Sequence, residues 1–77
     1  MTNIEEQVIE IIAKQLNKSN NDITMESKFA DDLGADSLDL VEMIMEFEEI
    51  FDIEVQDDVA EELTSVQKVV DYVKKVT

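Results

Sequence analysis

The chain has 77 residues, enough for one small domain and too few for two. It contains no cysteine and no histidine, which excludes disulfides, thiolate or imidazole catalysis and the commonest zinc ligands. Twenty acidic residues against six basic ones give a formal net charge of −14, so the surface repels nucleic acid and anionic lipid and attracts basic protein patches.

No part of the sequence predicts a membrane or export segment. The N-terminus lacks a basic segment followed by an apolar one, and no apolar run approaches the ~20 residues of a membrane span. We therefore expect a cytoplasmic protein without membrane insertion. Because 44% of the residues are hydrophobic and fall at helical spacing, we expect a folded domain and not a disordered acidic tail.

The first predicted helix runs from about Ile4 to Leu16. Either Thr2 with Glu5 or Asn3 with Glu6 can form a capping box at its start. Its apolar residues share one helical face: Ile4, Val8, Ile11 and Ile12. The polar, asparagine-rich stretch 17–22 then indicates the helix exit and the start of a loop.

A long connection follows, from Ile23 to Ala35. A connection of this length needs buried anchors of its own, and the candidates are Ile23, Met25, Phe29 and Leu33. The four-residue spacing of Phe29 and Leu33 predicts a short helical turn. Gly34, the only glycine in the chain, is suited to end that turn with a positive φ.

The second long helix is predicted from Asp36 or Ser37 to about Phe51, with Asp36 as N-cap and Asp39 beside the free backbone donors. We assign one apolar stripe and its two bordering residues to the core: Leu40, Ile44, Phe47 and Phe51, bordered by Met43 and Ile50. A second stripe on another face stands among acidic residues: Leu38, Val41 and Met45. We expect this stripe to reach solvent as a docking site, the alternative being that both stripes are buried.

A short helix over 57–62 and a last helix beginning near Thr64 complete the predicted elements. Thr64 and Gln67 can form a capping box, and the valines behind them are spaced by three and four, which favours a helix over a strand: Val66, Val69, Val70 and Val73. The predicted fold class is all-α, a small four-helix bundle with a long first loop and a short third helix. We expect one domain over residues 1–77.

Ser37 places a hydroxyl in the first turn of the second helix, directly after the glycine turn. Unpaired N–H groups and the helix dipole there favour an attached phosphate, whereas Asp36 and Asp39 oppose it. A lone serine at a helix start is most often only a cap. It is not a hydrolase nucleophile, because the run 34–38 is not a Gly-x-Ser-x-Gly elbow and no histidine can act as its base.

The run from Phe29 to Asp39, Phe-Ala-Asp-Asp-Leu-Gly-Ala-Asp-Ser-Leu-Asp, closely resembles the attachment site of acyl carrier proteins of the free-standing bacterial fatty-acid-synthase type. The resemblance extends over essentially the whole chain. It includes the Ile-Glu-Glu opening of the first helix, the Glu-Glu-Ile-Phe end of the second, and Thr-Ser-Val-Gln before the last.

The resemblance implies that a phosphopantetheinyl transferase moves 4′-phosphopantetheine from coenzyme A onto Ser37. The arm then carries acyl chains as thioesters in fatty acid biosynthesis, so that a chain without cysteine uses the sulfur of its cofactor. The protein would be a monomeric carrier, not an enzyme, and would hold no metal. Its partners would be the transferase and the fatty acid synthase enzymes and acyltransferases that have basic docking patches.

The resemblance and the exposed stripe together assign two further sets of residues. Partner recognition falls on the second helix and the start of the third: Asp36, Leu38, Asp39, Val41, Glu42, Met45, Glu48, Glu49 and Asp57. The acyl-chain pocket, for which an ordinary core is the alternative, has this lining: Phe29, Leu33, Ile44, Phe47, Ala60, Leu63, Val69 and Tyr72.

Three other functions compete with this assignment. A carrier for polyketide, peptide or D-alanine pathways is the close alternative, and an acidic protein-interaction or nucleic-acid-mimic domain is the alternative that needs no modified serine. An EF-hand fails on spacing, because counting from Asp31 places Leu33 third and Gly34 fourth instead of sixth. Diffuse binding of divalent cations is still expected, since it relieves self-repulsion.

Overall fold

The computed structural model describes residues 3–77, and in this range the chain forms four α-helices and no β-strand. The helices are α1 (Ile4–Leu16), α2 (Ser37–Phe51), α3 (Asp57–Glu62) and α4 (Val66–Val76). A 3₁₀ turn at Asn20–Asp22 lies at the start of the first loop. The predicted all-α bundle with a long first loop and a short third helix is confirmed.

Helix α1 begins and ends where its local signals indicate. Asn3 Oδ1 accepts a hydrogen bond from the N–H of Glu6 at 2.8 Å, so Asn3 is the N-cap. The alternative cap at Thr2 lies outside the described residues. Asn17 ends the helix in the left-handed conformation. The apolar face predicted for α1 is confirmed, with three residues buried and one half-buried: Val8, Ile11, Ile12 and Ile4.

The core lies where α1 packs against both α2 and α4. All four valines of the predicted α4 face are buried, which confirms the helical interpretation of that run: Val66, Val69, Val70 and Val73. At the surface, Lys74 Nζ contacts Glu5 Oε1 at 3.1 Å and joins α4 to α1. Within residues 3–77 this is the one ion pair, so nearly all of the acidic side chains in this range lack a lysine within salt-bridge distance.

The long first loop is anchored as predicted. Ile23, Phe29 and Leu33 are buried and Met25 is half-buried. The N–H of Asp32 donates to the carbonyl of Lys28 at 2.9 Å and closes a single helical turn. Gly34 follows that turn with φ +67°, a conformation that costs other residues more than glycine.

The start of α4 differs from its prediction: Thr64 and Gln67 do not form the predicted capping box. Ser65 is the N-cap, and its Oγ accepts the N–H of Lys68 at 3.4 Å. The carbonyl of Thr64 accepts instead the N–H of Phe29 at 3.1 Å. This pairing with the first loop keeps the backbone extended as far as Ser65.

The packing of α2 corrects a second prediction. Met43 and Phe47 are its buried residues, whereas the other members of the predicted core stripe are half-buried: Leu40, Ile44 and Phe51. The assignment of Ile50 to the core is wrong, since its side chain is 51% exposed. Between α1 and α2 a groove of about 410 Å³ stays open at this level, and Ile50 lines it.

Candidate functional site

Ser37 is the first residue of α2 and is exposed. The turn before it is held by a capping box, as Asp36 Oδ1 accepts the N–H of Asp39 at 2.9 Å and Asp39 Oδ2 accepts the N–H of Asp36 at 3.4 Å. The predicted N-cap is therefore confirmed. Because both aspartates fix the first helical turn, the position of Ser37 is defined by the backbone.

The capping box leaves the hydroxyl of Ser37 and two neighbouring donors unused. A helix begins with several N–H groups that have no helical acceptor, and the box engages those of Asp36 and Asp39. Within residues 3–77, the N–H groups of Ser37 and Leu38 and the Oγ of Ser37 make no hydrogen bond. Such donors suit a phosphate on the serine, although the two carboxylates add opposing charge.

A shallow groove of about 290 Å³ opens beside Ser37, between α2 and α3. Its apolar lining comes from Leu40, Val41 and Ile44 on α2 and Ala60 on α3. Besides Ser37 itself, the other lining residues are acidic: Asp57 and Glu61. Two of the residues predicted for the acyl-chain pocket, Ile44 and Ala60, thus lie next to the serine.

The other predicted pocket residues lie elsewhere. A second groove, of about 580 Å³, is lined by residues including Leu63 and Tyr72. The remaining four are buried in the core: Phe29, Leu33, Phe47 and Val69. The eight residues therefore do not line one cavity in this structure. Helix α3 contributes to both grooves, buries no residue of its own and has no side-chain cap at its N-terminus.

The second apolar stripe of α2 reaches solvent. Leu38, Val41 and Met45 are 66%, 53% and 60% exposed, so the predicted exposure of this stripe, here called the front face, is confirmed and its burial is excluded. Helix α2 carries five acidic residues and no basic one. An exposed apolar strip among carboxylates has the composition of a docking surface for basic partners.

Four of the carboxylates predicted for recognition already accept hydrogen bonds within the chain. Asp36 and Asp39 form the capping box, and Glu42 Oε2 accepts Nε2 of Gln15 at 2.7 Å. Glu48 is half-buried, and its Oε2 accepts the N–H of Val55 at 3.0 Å.

Two of the carboxylates predicted for partner recognition make no such bond. Glu49 and Asp57 are exposed and accept no side-chain hydrogen bond in the described part of the chain. The structural bond of Glu48 was missed by sequence reasoning, because no local signal pairs a helix residue with an amide seven positions later.

Neither a metal centre nor a membrane span is visible in the part of the chain that the structure describes. Among residues 3–77, no three or more acidic side chains converge as ligands for a metal ion. Over the same range, no helix has both the length and the apolar character needed to cross a membrane.

The family model described as Phosphopantetheine attachment site matches residues 6–73. The match covers nearly the whole chain and includes Ser37, so the chain belongs to this family. It is a phosphopantetheine-bearing carrier, since the domain of this family is the attachment site for the covalent 4′-phosphopantetheine group. Domains of this family are non-catalytic carriers that transferases modify and partner enzymes acylate. The match favours a carrier over the alternative of an acidic protein-interaction or nucleic-acid-mimic domain.

Proposed function

We propose that Ser37 is the residue that bears 4′-phosphopantetheine, and that the protein carries growing acyl chains in fatty acid biosynthesis. The chain has four serines, and the hydroxyls of Ser19, Ser27 and Ser65 each accept a backbone N–H. Ser37 is the one whose hydroxyl is exposed and makes no hydrogen bond within residues 3–77. This difference among the serines is the observation that carries the proposal.

The surroundings of Ser37 fit the group. The free N–H groups of Ser37 and Leu38 can face a phosphate, and the groove beside them offers an apolar wall to the arm and its cargo. When bound, the arm supplies the thiol that this cysteine-free chain lacks.

An acyl chain entering this groove would first meet Ile44 and Ala60. To reach Leu63, Tyr72 and the buried members of the predicted pocket, the acyl chain would have to displace α3. Because α3 buries no residue of its own, we expect its displacement to cost little free energy.

The front face and its acidic surroundings are the proposed docking surface for the transferase, the fatty acid synthase enzymes and acyltransferases. A carrier must meet many enzymes and leave each quickly, which charge steering and a small interface together achieve. Exposed pairs contribute only ~0.2–1 kcal/mol each, so replacing Glu49 or Asp57 singly should weaken docking mildly. We further propose that the protein acts as a monomer in the cytoplasm.

Intact mass tests the attachment residue. The purified chain is incubated with coenzyme A and a promiscuous phosphopantetheinyl transferase. We expect wild type and Ser19→Ala, which alters another exposed serine, to gain one arm, and Ser37→Ala to gain none. An unmodified wild type would contradict the proposal, and a modified Ser37→Ala would place the arm on another residue.

The pathway is tested on the loaded protein. Support for fatty acid synthesis comes from the Phe29–Asp39 run and from a second helix without any basic residue. We expect a malonyl-transferring enzyme of that pathway to charge the arm. Charging by a polyketide acyltransferase or by an amino-acid- or D-alanine-activating enzyme, with none by the malonyl transferase, would assign the protein to the competing carriers.

A further inference from the structure

A third groove lies between α1 and α2, away from the serine, and its lining has two isoleucines among polar residues. It has a volume of about 410 Å³ and is here called the rear groove; its lining is Glu10, Ile11, Lys14, Gln15, Glu46 and Ile50. Ile11 is buried, whereas Ile50 is half exposed although it is a large apolar residue. The rear groove therefore presents apolar surface that no part of residues 3–77 covers.

The rear groove continues into a neighbouring groove of about 360 Å³, with which it shares Gln15 and Glu46. The neighbouring groove adds Glu42, Met45 and Glu49, so it reaches the edge of the front face at Met45, which is 60% exposed. Together the two grooves have four glutamates against one lysine, Lys14. The trough between the helices is thus apolar at two points and negatively charged along its length.

Helical geometry places the rear groove on the side of α2 opposite to Ser37. Glu46 follows Ser37 by nine positions, which at 100° per residue turns it about 180° around the helix and moves it about 14 Å along the axis. Ile50 is turned about 140° and lies about 20 Å away along the axis. A molecule in the rear groove would leave the serine and its own groove uncovered.

We propose that the rear groove binds an amphipathic helix of a partner protein, with basic side chains flanking its apolar residues, while Ser37 remains accessible. A trough between two helices accepts a third helix by packing its apolar face, and the glutamates select positive charge on either side. The partner would hold the carrier without using its arm. This surface goes beyond the proposed function, because that function uses the front face and the groove beside Ser37, whereas the rear groove lies on the opposite side of α2.

The probe is a synthetic helical peptide of about 14 residues with leucines at helical spacing and arginines beside them. A matched peptide keeps the arginines and replaces the leucines by serine. In ¹H–¹⁵N spectra of the unmodified full chain, we expect the leucine peptide to shift the amides of Ile11, Lys14 and Ile50 most. Equal binding of the serine peptide, or shifts centred on Leu38 and Val41, the front-face residues that line neither of these two grooves, would overturn the proposal.

Two pairs of exposed variants localise the binding. Ile50→Gln should raise the Kd of the leucine peptide about fivefold, whereas Leu38→Gln on the front face should leave that Kd unchanged. Glu46→Gln should raise the Kd of the leucine peptide about twofold at low salt. Glu26→Gln is the control and should leave the Kd unchanged, because it changes the net charge equally and Glu26 lines neither groove. The reverse order in either pair would refute the assignment.

Simultaneous access is tested by loading Ser37 from coenzyme A with and without saturating leucine peptide. We expect equal loading rates. Peptide that blocks loading would contradict the separation of the two sites. Absence of loading without peptide would refute the proposed function and leave the rear-groove measurements standing.

Discussion

The side chain of Glu48 holds the loop that leads from α2 into α3. Its Oε2 accepts the N–H of Val55 at 3.0 Å, and its carbonyl accepts the N–H of Ile53 at 3.1 Å. The change Glu48→Ala leaves the half-buried amide of Val55 without its acceptor. Glu49→Ala is the matched control, because it removes the same charge from the next position, where no such bond exists.

The expected cost follows from the kind of bond that is lost. A hydrogen bond to a charged group contributes ~1.5–3 kcal/mol net, and partial exposure of both partners lowers this to about 1–2 kcal/mol. Both variants also remove one negative charge from a chain of net charge −14, which relieves repulsion and offsets a small part of the lost stability equally in each. Glu48→Ala should therefore be about 1–2 kcal/mol less stable than Glu49→Ala. A domain of this size loses ~4–8 °C in Tm per kcal/mol.

Urea unfolding followed by circular dichroism at one salt concentration measures the difference between the two variants. Hydrogen exchange of the Val55 amide measures the bond itself, and it should accelerate in Glu48→Ala and stay unchanged in Glu49→Ala. Glu48→Gln keeps an acceptor oxygen and should recover part of the loss. Equal unfolding free energies for both alanine variants, together with an unchanged Val55 exchange rate, would refute the assigned role of Glu48.

Two further predictions concern a cap and the net charge. Ser65→Ala removes the N-cap of α4 and should cost about 0.5–1 kcal/mol of unfolding free energy, the lower part of the usual range because the hydrogen bond is 3.4 Å long. Thr64→Ala should cost less, and equal urea midpoints for the two variants would contradict the assignment of Ser65 as the N-cap. Millimolar magnesium or calcium should raise the Tm at fixed ionic strength, because it relieves the repulsion of a chain with one ion pair among residues 3–77. An unchanged melt would show that this repulsion does not limit stability.

The boundaries of α1 and α2 were predictable because their signals are local. Asn3 and Asp36 are short polar residues that cap the helix immediately behind them, and the apolar residues repeat at helical spacing. The position of Ser37 at the start of α2 follows from the same signals together with Gly34. These signals sufficed to predict the helix boundaries, since a helix cap involves residues only a few positions apart.

The start of α4 and the exposure of Ile50 required the tertiary structure. Thr64 loses its predicted cap because its carbonyl pairs with the amide of Phe29, thirty-five positions earlier in the chain. Ile50 has the spacing of a core residue and is nevertheless half exposed, because α1 and α2 leave the rear groove open beside it.

The sequence by itself determined the number of helices, their order, the acidity of the surface and the serine at the start of α2. Only the tertiary structure decided how the predicted pocket residues are divided between two grooves and the core, which carboxylates are already bonded, and where an apolar surface stays open. The physical reason is the sequence separation of the residues involved. A cap or a helical repeat depends on residues a few positions apart, whereas exposure depends on how closely helices from distant parts of the chain pack.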